Sequence, residues 1–176
     1  MARLVPIVIG CLAAALAVSA ALAATPPDTT VSAADTRPKK NLWATVNVCD
    51  TAKNPDRLGI RARAFGIGRE SEKIWMRFFA EYMKDGRWVR VDGARSKWIR
   101  VGRADYTWQE TGFTFNMGPL NPVQSFRMRG LVKFQWRRSG EVVRATRVRT
   151  SSGHVRKAFG DPKGYSAATC FMSGSS

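Results

Sequence analysis

The sequence is poor in the side chains that most often carry out catalysis or bind transition metals. It has one histidine and three cysteines among 176 residues. His154 lies beside Ser151 and Ser152 in a predicted turn, and adjacency along the chain does not bring a nucleophile and a base together in the required geometry. Nitrogen and sulfur ligands are too few for a metal site of recognisable spacing. We predict no metal centre, no cofactor and no catalytic residue, and we expect His154 to be solvated or to cap a turn.

Acidic residues are also scarce: 13 Asp and Glu stand against 29 Lys and Arg, which gives a formal net charge of +16. Most of the acids fall in predicted turns beside glycine, proline or lysine, where aspartate is common for backbone reasons. The loop between Asp50 and Asp56 offers too few oxygens for a hard cation. We therefore predict that the protein is not an enzyme. An extracellular hydrolase with converging carboxylates is the least favoured alternative.

Only the N-terminus carries a long hydrophobic run. Arg3 precedes an apolar, alanine-rich run over residues 4–20, and Ala21-Leu22-Ala23 supplies the small-x-small pattern of a cleavage site. We predict a signal peptide over residues 1–24, which makes the mature protein secreted or held in the extracytoplasmic cell envelope. One alternative is an uncleaved anchor, with membrane contact through the leader alone. Another is lipidation at Cys11, although most of the apolar run follows that cysteine.

Removal of the leader leaves two cysteines, Cys49 and Cys170. In an exported chain they most simply form one disulfide, which closes a loop of about 120 residues. Two buried free thiols are the alternative. Residues 25–41 are rich in proline, threonine, alanine and aspartate without periodicity, which predicts a disordered linker. A single domain is predicted over residues 42–176.

A long hairpin is predicted over residues 125–150. From Phe126 to Trp136 every second residue is apolar or glycine, and most of the positions between them are arginine or lysine. This period of two is typical of a β-strand with one buried face. Ser139-Gly140 suits the turn, and the alternation resumes after it. We predict that Trp136 lies in the core and that the opposite face of the hairpin is basic.

Residues 71–84 fit either a strand or an amphipathic helix, whose stripe would include Trp75 and Phe79. The turn signal Lys84-Asp85-Gly86-Arg87 favours a strand that enters a hairpin. Further strands are predicted at residues 42–49, 58–65, 98–101, 106–117 and 167–172. Seven to nine short strands divided by turn signals indicate an antiparallel β-sandwich, immunoglobulin-like or fibronectin-like, with a partly open β-barrel as the alternative.

Many cations lie on strands whose alternate residues face the predicted core, so several are expected on one basic sheet face. The candidate anion-binding residues are Arg61, Arg63, Arg127, Arg129, Lys133, Arg137, Arg144, Arg147 and Arg149. Guanidinium forks recognise phosphate, sulfate and carboxylate. Trp43, Trp88, Trp98 and Trp108 are candidate stacking surfaces. Under the alternative interpretation the charge only keeps the protein soluble and the tryptophans belong to the core.

Five segments carry a resemblance: NLWATVNVCD, LGIRARAFG, KDGRW, GLVKFQWRR and DPKGYSAATC. They resemble a group of secreted proteins from actinobacteria and related soil bacteria that carry no assigned function. The resemblance spans roughly residues 42–172, and it is most specific in the first and last segments because each holds a cysteine. It implies a small exported domain with an immunoglobulin-like sandwich, and it supplies no catalytic residues.

Together these features predict an exported, non-catalytic binding or accessory domain. Its basic sheet face is expected to engage an anionic envelope polymer, a polysaccharide or an acidic protein. Genomic nucleic acid is not expected as a partner because the chain carries an export signal. The alternative is a structural or interaction domain that binds through apolar surface.

Overall fold

Nine β-strands make up the ordered framework of residues 42–121, 123–156 and 158–174, which are the residues described by the computed structural model. The strands are β1 (Leu42–Thr51), β2 (Asn54–Phe65), β3 (Arg69–Lys84), β4 (Arg87–Arg95), β5 (Ile99–Ala104), β6 (Trp108–Asn116), β7 (Ser125–Arg138), β8 (Glu141–Arg149) and β9 (Cys170–Ser173). Within these residues no helix is long and apolar enough to cross a membrane. The predicted leader and linker, residues 1–24 and 25–41, lie outside the described residues.

The strands form two antiparallel sheets. The smaller sheet has the order β1-β2-β6. The larger sheet is built on β3 and β7, which pair with each other. The other edge of β3 pairs with β5 along its first half and with β4 along its second half. The other edge of β7 pairs first with β9 and then with β8. The predicted antiparallel β-sandwich is confirmed, and the two sheets do not close into the alternative barrel.

Strand β3 settles the ambiguity over residues 71–84 in favour of the strand. Its residues Ile74, Met76 and Phe78 alternate along the chain and are fully buried. Asp85 and Gly86 follow with φ angles of 49° and 73°, the left-handed conformation that a two-residue hairpin turn requires. Pairing along both edges of the strand therefore outweighs the local helix propensity.

The core fills the space between the inner faces of the two sheets. Phe78 and Phe134 are the largest side chains with no exposed surface, and Trp136 is 2% exposed, as predicted. Gly130 allows the sheets to approach each other, because a Cβ atom at this position would lie 2.6 Å from Cδ1 of Ile60. The period-two alternation of β7 thus places its apolar half inside the sandwich.

A disulfide between Cys49 and Cys170 ties β1 of the smaller sheet to β9 of the larger one, with a Cα–Cα distance of 5.5 Å. The predicted bridge is confirmed. The edge of β1 away from β2 is also covered: the Val46 and Ala167 backbones exchange two hydrogen bonds, and the Ser151 amide donates to the Ala44 carbonyl. The segment after β8 therefore shields an edge that would otherwise present free backbone groups.

We predict that Phe134→Ala lowers the free energy of unfolding by about 3–5 kcal/mol, because it empties a fully buried site between the sheets. Phe171→Ala makes the same chemical change at a ring that is 70% exposed, and it should cost at most about 0.5 kcal/mol. Urea unfolding followed by tryptophan fluorescence measures both values. Equal losses in the two variants would contradict this core.

Candidate functional site

The outer face of the larger sheet brings together six of the nine predicted anion-binding residues: Arg127, Arg129, Lys133, Arg137, Arg147 and Arg149. The four on β7 alternate with its buried residues, and strand pairing sets Arg147 opposite Lys133. Two further cations of this face were not predicted from the sequence: Arg77, which pairs with Lys133 from the other side, and Arg90, which pairs with Glu81. These eight cations are called the basic face below.

The basic face rests on an apolar floor of two outward-pointing side chains. Phe79 is 7% exposed and Leu131 is 2% exposed, although both lie on the outer side of the sheet. The cationic groups of Arg77, Arg90 and Lys133 lie 5.7, 4.6 and 5.5 Å from the centroid of the Phe79 ring. Their hydrocarbon stems cover the floor while their charges stay at the surface. The cations are therefore held in position by packing as well as by charge.

Tryptophan rings support the arginines at both ends of the basic face. The guanidinium of Arg129 lies 4.1 Å from the centroid of the Trp88 ring. Arg137 lies 4.7 Å from Trp75 and 5.1 Å from Trp98. Trp88 and Trp98, predicted as stacking surfaces for a ligand, are thus half-buried beneath arginines of the same chain. Their role in this geometry is to orient the guanidinium groups.

Lys133 is the centre of the basic face. It lies between Arg77 on β3 and Arg147 on β8 in one row across three strands. Burial lowers the pKa of Lys133, and the charges of Arg90, Arg147 and Arg77 lower it further. Among the described residues no carboxylate lies within 4 Å of any of these four cations. The row is a concentration of positive charge for which the described part of the chain supplies no carboxylate counter-ion.

The one ion pair on the basic face that the described residues form lies to the side of this row. The Glu81 carboxylate is 2.7 Å from the guanidinium of Arg129. Glu81 and Arg129 are directly opposite each other on β3 and β7. Glu81 therefore neutralises Arg129 and leaves Lys133 and its neighbours charged.

Arg61 and Arg63 lie on the smaller sheet, away from the basic face. Both contact Glu110, at 2.9 and 3.6 Å respectively, and Arg61 is only 4% exposed. Arg61 lies over Trp43 and Arg63 over Trp108, with 5.1 and 4.1 Å to the ring centroids. These two arginines are thus engaged in an internal ion-pair and stacking cluster.

Arg144 points towards the core side of the larger sheet. The register that pairs Lys133 with Arg147 continues to Trp136 and Arg144, and alternation along β8 therefore places Arg144 on the face opposite to Arg147. Its guanidinium lies 2.5 Å from the carboxylate of Glu72, which has no exposed surface. Burial alone raises the pKa of Glu72, but hydrogen bonds and charge from Arg144, with further hydrogen bonds from Arg69 and Arg138, outweigh burial and lower it. Arg144 is therefore a structural partner of a buried carboxylate.

His154 is stacked on Trp43 instead of being freely solvated, with ring centroids 4.4 Å apart and planes 4° from parallel. Burial lowers its pKa, and the charge of Arg61 adds to this effect. Its Nε2 lies 3.0 Å from the hydroxyl oxygen of Ser151. Among the described residues no carboxylate hydrogen-bonds to the imidazole, so the pair lacks the third group that orients the base in a catalytic triad. The same residues contain no cluster of three histidine, cysteine or acidic side chains able to hold a metal.

Neither the models of known protein families nor the curated protein sequences match this chain. The fold and the site define a disulfide-linked antiparallel β-sandwich with a cationic face on its larger sheet.

We predict that Glu72→Gln lowers the free energy of unfolding at neutral pH by about 3 kcal/mol, because it removes the counter-charge of partly buried arginines. The folded-state pKa of Glu72 is lowered, so the carboxylate stabilises the fold above its unfolded pKa, and this contribution is lost as the pH falls through the folded-state value. Urea unfolding at neutral and acidic pH measures the effect. The difference between the wild type and the variant should shrink in acid.

Glu70→Gln is the matched control, because Glu70 is an exposed neighbour on the same strand. It should change the free energy of unfolding by at most about 0.5 kcal/mol. A Glu72→Gln effect that stays constant from neutral pH to acid would contradict the stabilising role of the Glu72 charge.

Proposed function

We propose that this protein is an exported, non-catalytic binding domain that holds an anionic polymer on its basic face. The observation that carries this proposal is the row Arg77, Lys133 and Arg147, whose charges lack a carboxylate partner among the described residues. Burial lowers the pKa of Lys133 and repulsion from the neighbouring arginines lowers it further; a bound anion relieves that repulsion. The disulfide fits an exported protein because such bridges persist in oxidising compartments.

The shape of the basic face favours a linear polymer over a small anion. Arg127 and Arg137 lie ten residues apart on β7, which corresponds to about 33 Å along an extended strand. The row from Arg77 through Lys133 to Arg147 spans three strands, or about 10 Å across the sheet. A chain with repeated phosphate, sulfate or carboxylate groups can contact several cations of such a surface at once.

The arginine side chains of the basic face are also preorganised for binding. Stacking of Arg129 on Trp88 and of Arg137 on Trp75 limits the conformations open to their side chains. Less side-chain entropy is then lost when an anion binds. Guanidinium groups form paired hydrogen bonds with oxyanions, so the face recognises the acidic groups of the polymer rather than its backbone.

We predict that the triple variant Arg77→Gln, Lys133→Gln, Arg147→Gln elutes from a column of immobilised heparin at clearly lower salt than the wild type. Removal of three contacts should reduce the slope of log affinity against log salt by about 2–3. Elution at several salt concentrations gives the slope, and thermal unfolding verifies that the variant is folded.

The control is a second triple variant with the same loss of charge, Lys53→Gln, Arg57→Gln, Lys163→Gln, at exposed positions outside the basic face. It should retain most of the wild-type slope. Equal losses in the two triple variants would mean that total charge, not this face, causes retention, and a wild type that is not retained would overturn the proposal.

A further inference from the structure

A cavity of about 480 Å³ lies between the inner face of the larger sheet and the loop that follows β6. Its apolar lining is formed by Val91, Met117, Leu120, Phe126, Met128 and Met172. At this end of the sandwich β6 has already ended at Asn116, and the chain crosses from the smaller sheet towards β7. The smaller sheet therefore leaves part of the opposite inner face for the loop to cover.

The size and lining of this cavity are those of a ligand site. Small-molecule sites are clefts or cavities of about 300–1,000 Å³, and this cavity, which is open to solvent on one side, falls within that range. Three of the lining residues are methionines, whose flexible thioether side chains adapt to an irregular or flexible apolar ligand. Tyr82 adds an aromatic wall, with its ring 6.3 Å from that of Phe126. Such a lining suits an alkyl chain.

Charge is confined to two residues of the lining, Arg90 and Asp92. They flank Val91 on β4, and neither forms an ion pair with another described residue. Arg90 also belongs to the basic face, where its guanidinium lies over Phe79 and adds to the positive charge around Lys133. The cavity therefore adjoins the basic face through Arg90, which favours an anionic head group over a neutral one.

We propose that this cavity binds the alkyl chain of a fatty acid, with the carboxylate at the Arg90 side. The proposal depends on the cavity and not on polymer binding. An apolar chain held against methionine and aromatic side chains provides the affinity, and the positive charge of Arg90 at the cavity favours the carboxylate. The negative charge of Asp92 repels the same carboxylate, so Arg90 and Asp92 have opposite effects on binding.

The test compares decanoate with 1-decanol by isothermal titration calorimetry on the intact protein. We expect saturable binding of one decanoate per chain and at least fivefold weaker binding of 1-decanol, which has the same chain length and no charge. Leu120→Trp, which fills the cavity from the loop, should weaken both ligands at least tenfold. Val123→Trp, in the same loop at a position that is 88% exposed, should leave both within twofold.

The charged residues give a second readout that does not require filling the core. Arg90→Gln should weaken decanoate about tenfold and Asp92→Asn should tighten it a few-fold, while neither changes 1-decanol by more than twofold. The proposal is overturned if decanoate does not saturate, if Leu120→Trp has no effect, or if Arg90→Gln affects both ligands equally. Binding to phosphatidylglycerol vesicles without binding of free decanoate would also overturn it. The Arg77, Lys133, Arg147 triple variant retains Arg90 and the cavity lining, so the failure of one proposal is distinguishable from the failure of the other.

Discussion

The pairing of β3 with β7 is the interaction on which the rest of the structure depends. The two strands match from Lys73 opposite Arg137 to Tyr82 opposite Met128, and every other strand of the larger sheet adds to one of their outer edges. Since side chains alternate between the two faces, this single register puts Phe78 in the core and Lys133 on the surface. A slip of one residue would exchange the two faces, so the core and the basic face are specified together.

Much of this arrangement could be predicted from local patterns. Period-two alternation identified β7 and the burial of Trp136, and the turn signal at Asp85 and Gly86 favoured a strand for β3 over the helix that also fitted its sequence. The disulfide followed from the number of cysteines left after the predicted leader. Strand alternation and turn conformation are set by short stretches of sequence. Disulfide formation is set by the redox compartment, which is the same for the whole chain.

The distribution of the arginines could not be predicted in full, because it depends on long-range pairing. Arg61 alternates with apolar residues just as Arg129 does, yet its strand joins the other sheet. Arg144 faces the core because it differs in parity from Arg147 and Arg149 on β8, and only the burial of Glu72 shows that a cation is needed on that side. Arg77 was missed because its outward neighbours on β3 include Phe79, so its strand shows no simple basic face. The cavity depends on the path of a loop, which no periodicity describes.

The bridge between β1 and β9 has a mechanical consequence. It joins the first and last strands of the described chain and encloses a sequence separation of 121 residues. When tension is applied at Leu42 and Gly174, only the short segments outside the Cys49–Cys170 disulfide can be extended before the disulfide itself bears the force. The strands that carry the basic face lie inside this closed loop. A domain held at both ends would thus keep its charged surface intact under a load that peels apart an open-ended β-sandwich.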